Sequence, residues 1–94
     1  MSVDNVVPTG TGALAATATQ KATDGVVFSV TITPAAADSS LSITDAANTV
    51  TFWNGLARAG GVSISHTFPQ GMNCPGGIRC AINGVGMTYS LTYA

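Results

Sequence analysis

Charge is scarce in this sequence. Of its 94 residues, three are Lys or Arg and four are Asp, and Glu does not occur. An ordinary soluble domain carries roughly 25% charged residues, whereas this chain has 7% and a formal net charge of −1. Three scattered cations cannot form the basic surface that neutralises phosphates, so the composition predicts that nucleic acid is not a partner.

Long apolar runs and targeting features are missing too. No run approaches the ~18 apolar residues that span a bilayer as a helix, so we expect no membrane partner. Residues 1–5 lack the cationic start and apolar core of a signal peptide, which argues against signal-directed secretion. The absence of Glu, the single Lys and the abundance of Thr, Val and Gly also argue against helices.

What the sequence does contain is alternation of apolar and polar residues between turn signals. In 26–33, for example, Val26, Phe28, Val30 and Ile32 alternate with polar residues, which predicts a half-buried strand with these four on its core face. The predicted strands are 26–33, 41–44, 50–53, 62–68, 77–82 and 87–93. The predicted turns include Asp24-Gly25, Asn54-Gly55, Pro69-Gln70-Gly71 and Asn83-Gly84. Residues 13–19 fit a strand or an Ala-rich helical turn, and the threonines favour the strand.

These elements predict an all-β protein, an antiparallel β-sandwich or jelly-roll-like fold of six to eight short strands. We expect a single sandwich domain over 13–94 and an extended N-terminal arm over 1–12. That arm is interpreted either as a frayed terminus or as a segment that lays Val3, Val6 and Val7 on a neighbouring subunit.

No constellation of residues points to catalysis, and we predict a protein that is not an enzyme and has no cofactor or metal. His66, the only histidine, shares a predicted strand face with Ile64 and Phe68, which fits a packed core or edge residue better than a general base. The sequence contains no G-x-S-x-G nucleophile motif. The four Asp residues lie in turns or at the terminus.

Cys74 and Cys80 frame a Pro-Gly-Gly insert and leave alternatives open. They are not a C-x-x-C pair, and with one histidine they fall short of four zinc ligands. Free, mostly buried thiols are favoured over a disulfide that closes the small loop.

Two further residues are candidate interface contacts. Trp53 projects outward if Phe52 and Val50 face the core, and an exposed tryptophan is a typical interface anchor; a bulge would instead turn it inward. Arg58 either pairs with an Asp of a neighbouring copy or is solvated.

The run from 25 to 94 resembles small structural proteins of tailed-bacteriophage virions. The similar features are Leu41-Ser42-Ile43-Thr44-Asp45 with a small-residue turn, the strand starting at Gly60-Gly61-Val62, the Phe68-Pro69-x-Gly71 motif, and the closing strand Tyr89-Ser90-Leu91-Thr92-Tyr93. The Cys74–Cys80 insert and Trp53 are not part of that pattern. The resemblance implies a β-sandwich present in many copies on a virion, as in capsid decoration (cement) proteins or tail and fibre components.

The sequence thus leads to two functional expectations. The first is a decoration protein, made in the host cytoplasm and located on the capsid exterior, whose partners are itself, as a homotrimer, and a major capsid protein. The small number of charged residues supports a decoration role, since interfaces disfavour charge. The alternative explanation of this composition is a neutral but soluble β domain. The second is a tail- or fibre-associated module that binds a glycan or receptor through its end loops.

Overall fold

The fold is known from a computed structural model, which describes residues 9–84 and 86–94. These residues form eight β-strands. The strands are β1 (Thr9–Gly10), β2 (Ala18–Lys21), β3 (Gly25–Thr33), β4 (Ser39–Thr44), β5 (Thr51–Ala57), β6 (Ile64–Cys74), β7 (Ile78–Asn83) and β8 (Thr88–Tyr93).

The strands pair antiparallel in two sheets of four. The first sheet has the order β1-β8-β3-β6 and the second the order β2-β7-β4-β5. This arrangement confirms the predicted all-β, sandwich-like fold. The core lies between the sheets and consists mainly of aliphatic side chains from β3, β4, β7 and β8. Its buried members are Val27, Val30, Ile32, Leu41, Ile43, Ala57, Cys74, Ile78, Cys80, Met87, Tyr89 and Leu91.

The predicted core face of β3 is half right, because the strand contains a bulge. Val27 pairs with Tyr93 of β8 and Ser29 pairs with Thr92, so Phe28 is an extra residue without a counterpart. A bulge shifts the alternation by one position. Val27 is therefore buried and Phe28 only half-buried, whereas Val30 and Ile32 face the core as predicted.

Two predicted turns are wrong, since both lie inside edge strands. Asn54-Gly55 falls within β5, paired with Ser42 and Leu41 of β4. Residues 68–71, which include Pro69, form a bulge of β6 between the pairs Ser29–Thr67 and Val27–Met72. An edge strand tolerates proline because its outer N–H groups need no ladder partner, and Gly71 provides the left-handed φ of +81° in the bulge.

The last residues of the predicted arm over 1–12 are extended and lie along the first sheet. Thr9–Gly10 pairs with β8, and Thr11 donates its backbone N–H to the carbonyl of Leu91. These residues are thus part of the sandwich, because the outer edge of β8 offers unpaired backbone groups that they satisfy. Val3, Val6 and Val7 lie outside the described residues.

Residues 13–19 contain the favoured strand only in part and form no helical turn. Leu14 exchanges backbone hydrogen bonds with Tyr89, and β2 starts at Ala18. The segment therefore crosses from the first sheet to the second along one side of the sandwich.

Candidate interface on the open side of the sandwich

The two long sides of the sandwich differ in the segments that lie along them. One side is capped by residues 11–17. Besides the Leu14–Tyr89 pair, the hydroxyl of Tyr89 donates to the carbonyl of Ala16 at 2.8 Å, and the N–H of Ile82 donates to Thr17 Oγ1 at 3.0 Å. These bonds occupy backbone groups at the outer edges of β8 and β7.

The other side is formed by the edge strands β5 and β6, which contact each other across the two sheets. Among the described residues, no strand pairs with the outer edge of either one. We call this side, with β5, β6 and the flanking Val50 and Val62, the open side. Among the described residues the outer edges of β1 and β2 are unpaired as well, but these strands have only two and four residues. The open side is the principal candidate site because its unpaired edges are longer, and such edges readily accept another chain.

Exposed apolar side chains concentrate on the open side. Among the residues that the structure describes, the large apolar ones with high exposure are Val50 (53%), Leu56 (50%), Val62 (85%) and Ile64 (40%). The alternation over 62–68 predicted a buried face, and in the structure this face is largely exposed. The physical reason is position: Ile64 and His66 lie opposite Ile32 and Val30 in register, but on an edge strand that the second sheet does not fully cover.

An aromatic cluster occupies the gap between the two edge strands. The ring centroid of His66 lies 4.6 Å from that of Phe68 and 5.9 Å from that of Trp53, and the rings of Trp53 and Phe68 meet edge to face at 6.3 Å. Such edge contacts are favourable for aromatic quadrupoles. His66 is exposed at this edge, packed on aromatic rings as the favoured interpretation of the sequence holds.

Trp53 faces inward, the second of the two orientations that the sequence left open. It pairs with Ile43, and because Thr51 pairs with the next residue, Thr44, Phe52 is a bulge. The indole then lies over Gly55, where an added Cβ would be 2.8 Å from Trp53 Cζ3 and 2.9 Å from Ile32 Cδ1. Trp53 is half-buried rather than a free, outward anchor.

Hydroxyl groups, not ions, coat the outer face of the first sheet. Cross-strand pairs bring serine and threonine side chains within hydrogen-bond distance of each other, which satisfies them without charge. These pairs are Ser29–Thr92 (3.0 Å), Thr31–Ser65 (3.0 Å) and Thr33–Ser63 (2.9 Å).

No Asp, Lys or Arg lies within β5 or β6, although Arg58 directly follows β5. Arg58 forms an ion pair of 3.5 Å with Asp38 of its own chain, and both side chains are more than half exposed. Such a pair contributes little to stability. The sequence suggested an Asp of a neighbouring copy as the partner of Arg58, and in the structure the partner is Asp38 of the same chain.

Asp45 organises the turn between β4 and β5. Its carboxylate accepts the backbone N–H groups of Thr49, at 2.6 Å, and Val50, at 3.1 Å, and the hydroxyl of Thr49. These hydrogen bonds, that of the Thr49 hydroxyl first, lower the pKa of Asp45 below its ordinary value. The residue thus has a structural role in a turn, the kind of role that the sequence suggested for the aspartates.

Cys74 and Cys80 are free thiols, both fully buried. Burial raises the pKa of both, and that of Cys80 to about 12, with a smaller contribution from Cys74. Thiolate chemistry is suppressed under these conditions.

Among residues 9–84 and 86–94, no three His, Cys or Asp side chains are grouped so that they could hold a metal ion. Within the same residues, no helix has the length and apolar character needed to cross a membrane. Comparison with protein-family models, with curated proteins and with solved structures gave no match.

Proposed function

We propose that the protein is a non-enzymatic structural component of a virion, a capsid decoration (cement) protein that binds between major capsid subunits. The single observation that carries this proposal is the open side, where apolar side chains and two strand edges meet without any charged residue on β5 or β6. A surface of this kind is typical of interfaces and disfavoured on free monomers.

The mechanism is passive. The sandwich adds apolar contact area where capsid subunits meet, and each ~100 Å² of apolar surface removed from water supplies a gross ~2.5 kcal/mol before association costs. A small net gain at each site, repeated over many sites, raises the resistance of the head to internal pressure. A trimer matches the local threefold positions between capsomers, and its closed symmetry hides strand edges.

The experiment is to add purified protein to heads assembled without it. Cosedimentation should show saturable binding at a fixed ratio to the major capsid protein, and the heads should release their genome at a higher temperature. A reconstruction of the decorated head should then show the sandwich on the exterior. Failure to bind such heads at micromolar concentration would overturn the proposal.

A second function is favoured by one local feature. The aromatic cluster lies beside an open depression of about 320 Å³ lined by Phe68, Pro69, Gln70 and Gly71. Aromatic rings next to an open depression that also offers the amide of Gln70 suit sugar rings, so a tail- or fibre-associated glycan-binding module is the alternative. A glycan array with a clear hit that is lost in Trp53→Ala would favour it over the cement role.

A further inference from the structure

The dipeptide Asn-Gly occurs twice in this chain, as Asn54-Gly55 and Asn83-Gly84. An asparagine before a glycine is chemically labile, because the backbone nitrogen of the glycine can attack the carbonyl carbon of the asparagine side chain. Glycine has no Cβ to hinder this approach, and its backbone reaches conformations that other residues avoid. The fold places the two dipeptides in different surroundings, and these surroundings decide which of them reacts.

The peptide bond between Asn54 and Gly55 is restrained by the strand around it. Both residues pair with β4, Asn54 with Ser42 and Gly55 with Leu41. The side-chain carbonyl of Asn54 accepts a hydrogen bond from the Ser42 hydroxyl at 2.5 Å, and the indole of Trp53 packs on Gly55. The attack requires this peptide bond to rotate toward the Asn54 side chain. Strand β5 would first have to open locally, and a local opening of a paired, packed segment has a free-energy cost.

The second dipeptide lies at the end of a strand. Asn83 is the last residue of β7, and its pair with Ser40 is the last pair between β7 and β4. Asn83 is exposed, and Gly84 lies outside the strand with a φ of +148°, a conformation that other residues rarely adopt. Ends of strands open at lower cost than their paired interiors, so the peptide bond between Asn83 and Gly84 can rotate without the unfolding of a paired segment.

The packing of Gly84 explains why glycine follows Asn83. A Cβ at this position would lie 2.7 Å from Ser39 Oγ and 3.0 Å from Ser39 Cα, and Ser39 is fully buried. The close approach of the backbone to the start of β4 therefore requires glycine, and the fold retains the residue that makes Asn83 labile.

We propose that Asn83 is a site of spontaneous deamidation in the folded protein and that Asn54 is protected from the same reaction. The backbone nitrogen of Gly84 forms a bond to Asn83 Cγ, the Cγ–Nδ2 bond breaks, and ammonia leaves with the proton of the Gly84 N–H. Water then opens the cyclic imide, which leaves aspartate or isoaspartate in place of Asn83.

The consequence is a slow change of charge. One neutral amide becomes one carboxylate, so the formal net charge changes from −1 to −2. Isoaspartate also adds a carbon atom to the backbone at the end of β7. The reaction needs only water and does not depend on the proposed function, so old copies of the protein differ from new ones wherever the protein acts.

Tryptic peptides separate the two sites, because Lys21, Arg58 and Arg79 are the only Lys and Arg residues. Peptide 22–58 contains Asn54, and peptide 80–94 contains Asn83 as its only asparagine. The protein is incubated at pH 8, native or in concentrated guanidinium chloride, and mass spectrometry follows the conversion of each asparagine. Unfolded protein should convert both at similar rates. Native protein should convert Asn83 within about threefold of the unfolded rate and Asn54 at least about tenfold more slowly than when unfolded. Equal conversion of the two in native protein, or an Asn83 that stays intact, would overturn the inference.

The variants Asn83→Gln and Asn54→Gln form a matched pair. Glutamine keeps the amide, but its imide would be a six-membered ring, which closes far more slowly. Ion-exchange chromatography of aged wild-type protein should show a species with one additional negative charge. This species should be lost in Asn83→Gln and unchanged in Asn54→Gln. An acidic species that persists undiminished in Asn83→Gln would assign the reaction to another residue and refute the proposal.

Discussion

Replacement of Gly55 by alanine tests whether Trp53 is packed as described. The added methyl group would approach Trp53 Cζ3 to 2.8 Å and Ile32 Cδ1 to 2.9 Å, both closer than van der Waals contact. Ile32 is fully buried in a close-packed core, whereas the indole is half-buried, so we expect the indole to be the group that moves toward solvent.

The magnitude follows from two opposing effects. Overpacking of this kind costs about 1–3 kcal/mol, and the lower entropy of the unfolded chain returns about 0.4–1 kcal/mol for Gly→Ala. A net loss of about 1–2 kcal/mol is expected, which for a domain of 60–100 residues lowers the Tm by roughly 4–16 °C. Because Trp53 is the only tryptophan, its fluorescence reports the displacement directly as a red shift of the emission.

The control is Gly10→Ala in β1, where an added Cβ has no heavy atom within 4 Å. This variant should keep the wild-type emission and unfold within about 0.5 kcal/mol of the wild type, as surface changes usually do. All three proteins are compared at one concentration, since self-association would shift the Tm. A Gly55→Ala protein with wild-type emission and wild-type Tm would refute the placement of the indole.

Three further perturbations follow from the described contacts. The pKa of Asp45 is lower in the folded state than its ordinary value of 3.8, so its stabilisation is complete above that value and lost as the pH falls through the lowered pKa. Denaturant midpoints should therefore favour the wild type over Asp45→Asn at pH 6, with a difference that narrows toward pH 2. Cys80, with its pKa raised from 9.0 to about 12, should react with iodoacetamide at pH 8 roughly a thousandfold more slowly in native than in unfolded protein, because thiolate is the reactive form; equal rates measured by mass spectrometry would contradict the burial. Tyr89→Phe removes the hydrogen bond to Ala16 and should cost about 1 kcal/mol in urea unfolding, with faster hydrogen exchange confined to 11–17.

Of the strands with neighbours on both sides, the sequence predicts β4 and β8 well, whereas the bulge at Phe28 makes its prediction for β3 only half right. In β4, Leu41 and Ile43 alternate with serines, and both are fully buried. In β8, Tyr89 and Leu91 do the same. Two partner strands fix the register of a strand inside a sheet, and the core fixes which face is buried. Apolar residues that alternate in the sequence of such a strand are therefore the ones buried in the structure.

The same reasoning fails for the edge strands β5 and β6, because each has a partner strand on one side only. Pro69 is a typical turn residue, and the sequence therefore predicts a turn there. On an edge strand its missing N–H removes no hydrogen bond of the ladder, so β6 continues beyond the bulge. Asn54-Gly55 is a strong turn signal, but here the glycine makes room for an indole instead. The orientation of Trp53 depends on the bulge at Phe52, which arises from pairing with β4 and has no sign in the local sequence.

The bulge and the proline of β6 also explain how an uncharged strand edge can exist without adding one chain after another. A flat, continuous edge strand would template one copy after another, but in β6 the bulge at 68–71 and the missing N–H of Pro69 interrupt the outer edge. Only 64–67 remains as regular strand before the interruption, enough for one partner strand but too short for an extended ladder. On the capped side, the edge strands β1 and β2 have only two and four residues, and β2 ends in Lys21. Short, interrupted or charged strand edges on both sides of the sandwich disfavour growth into a fibre.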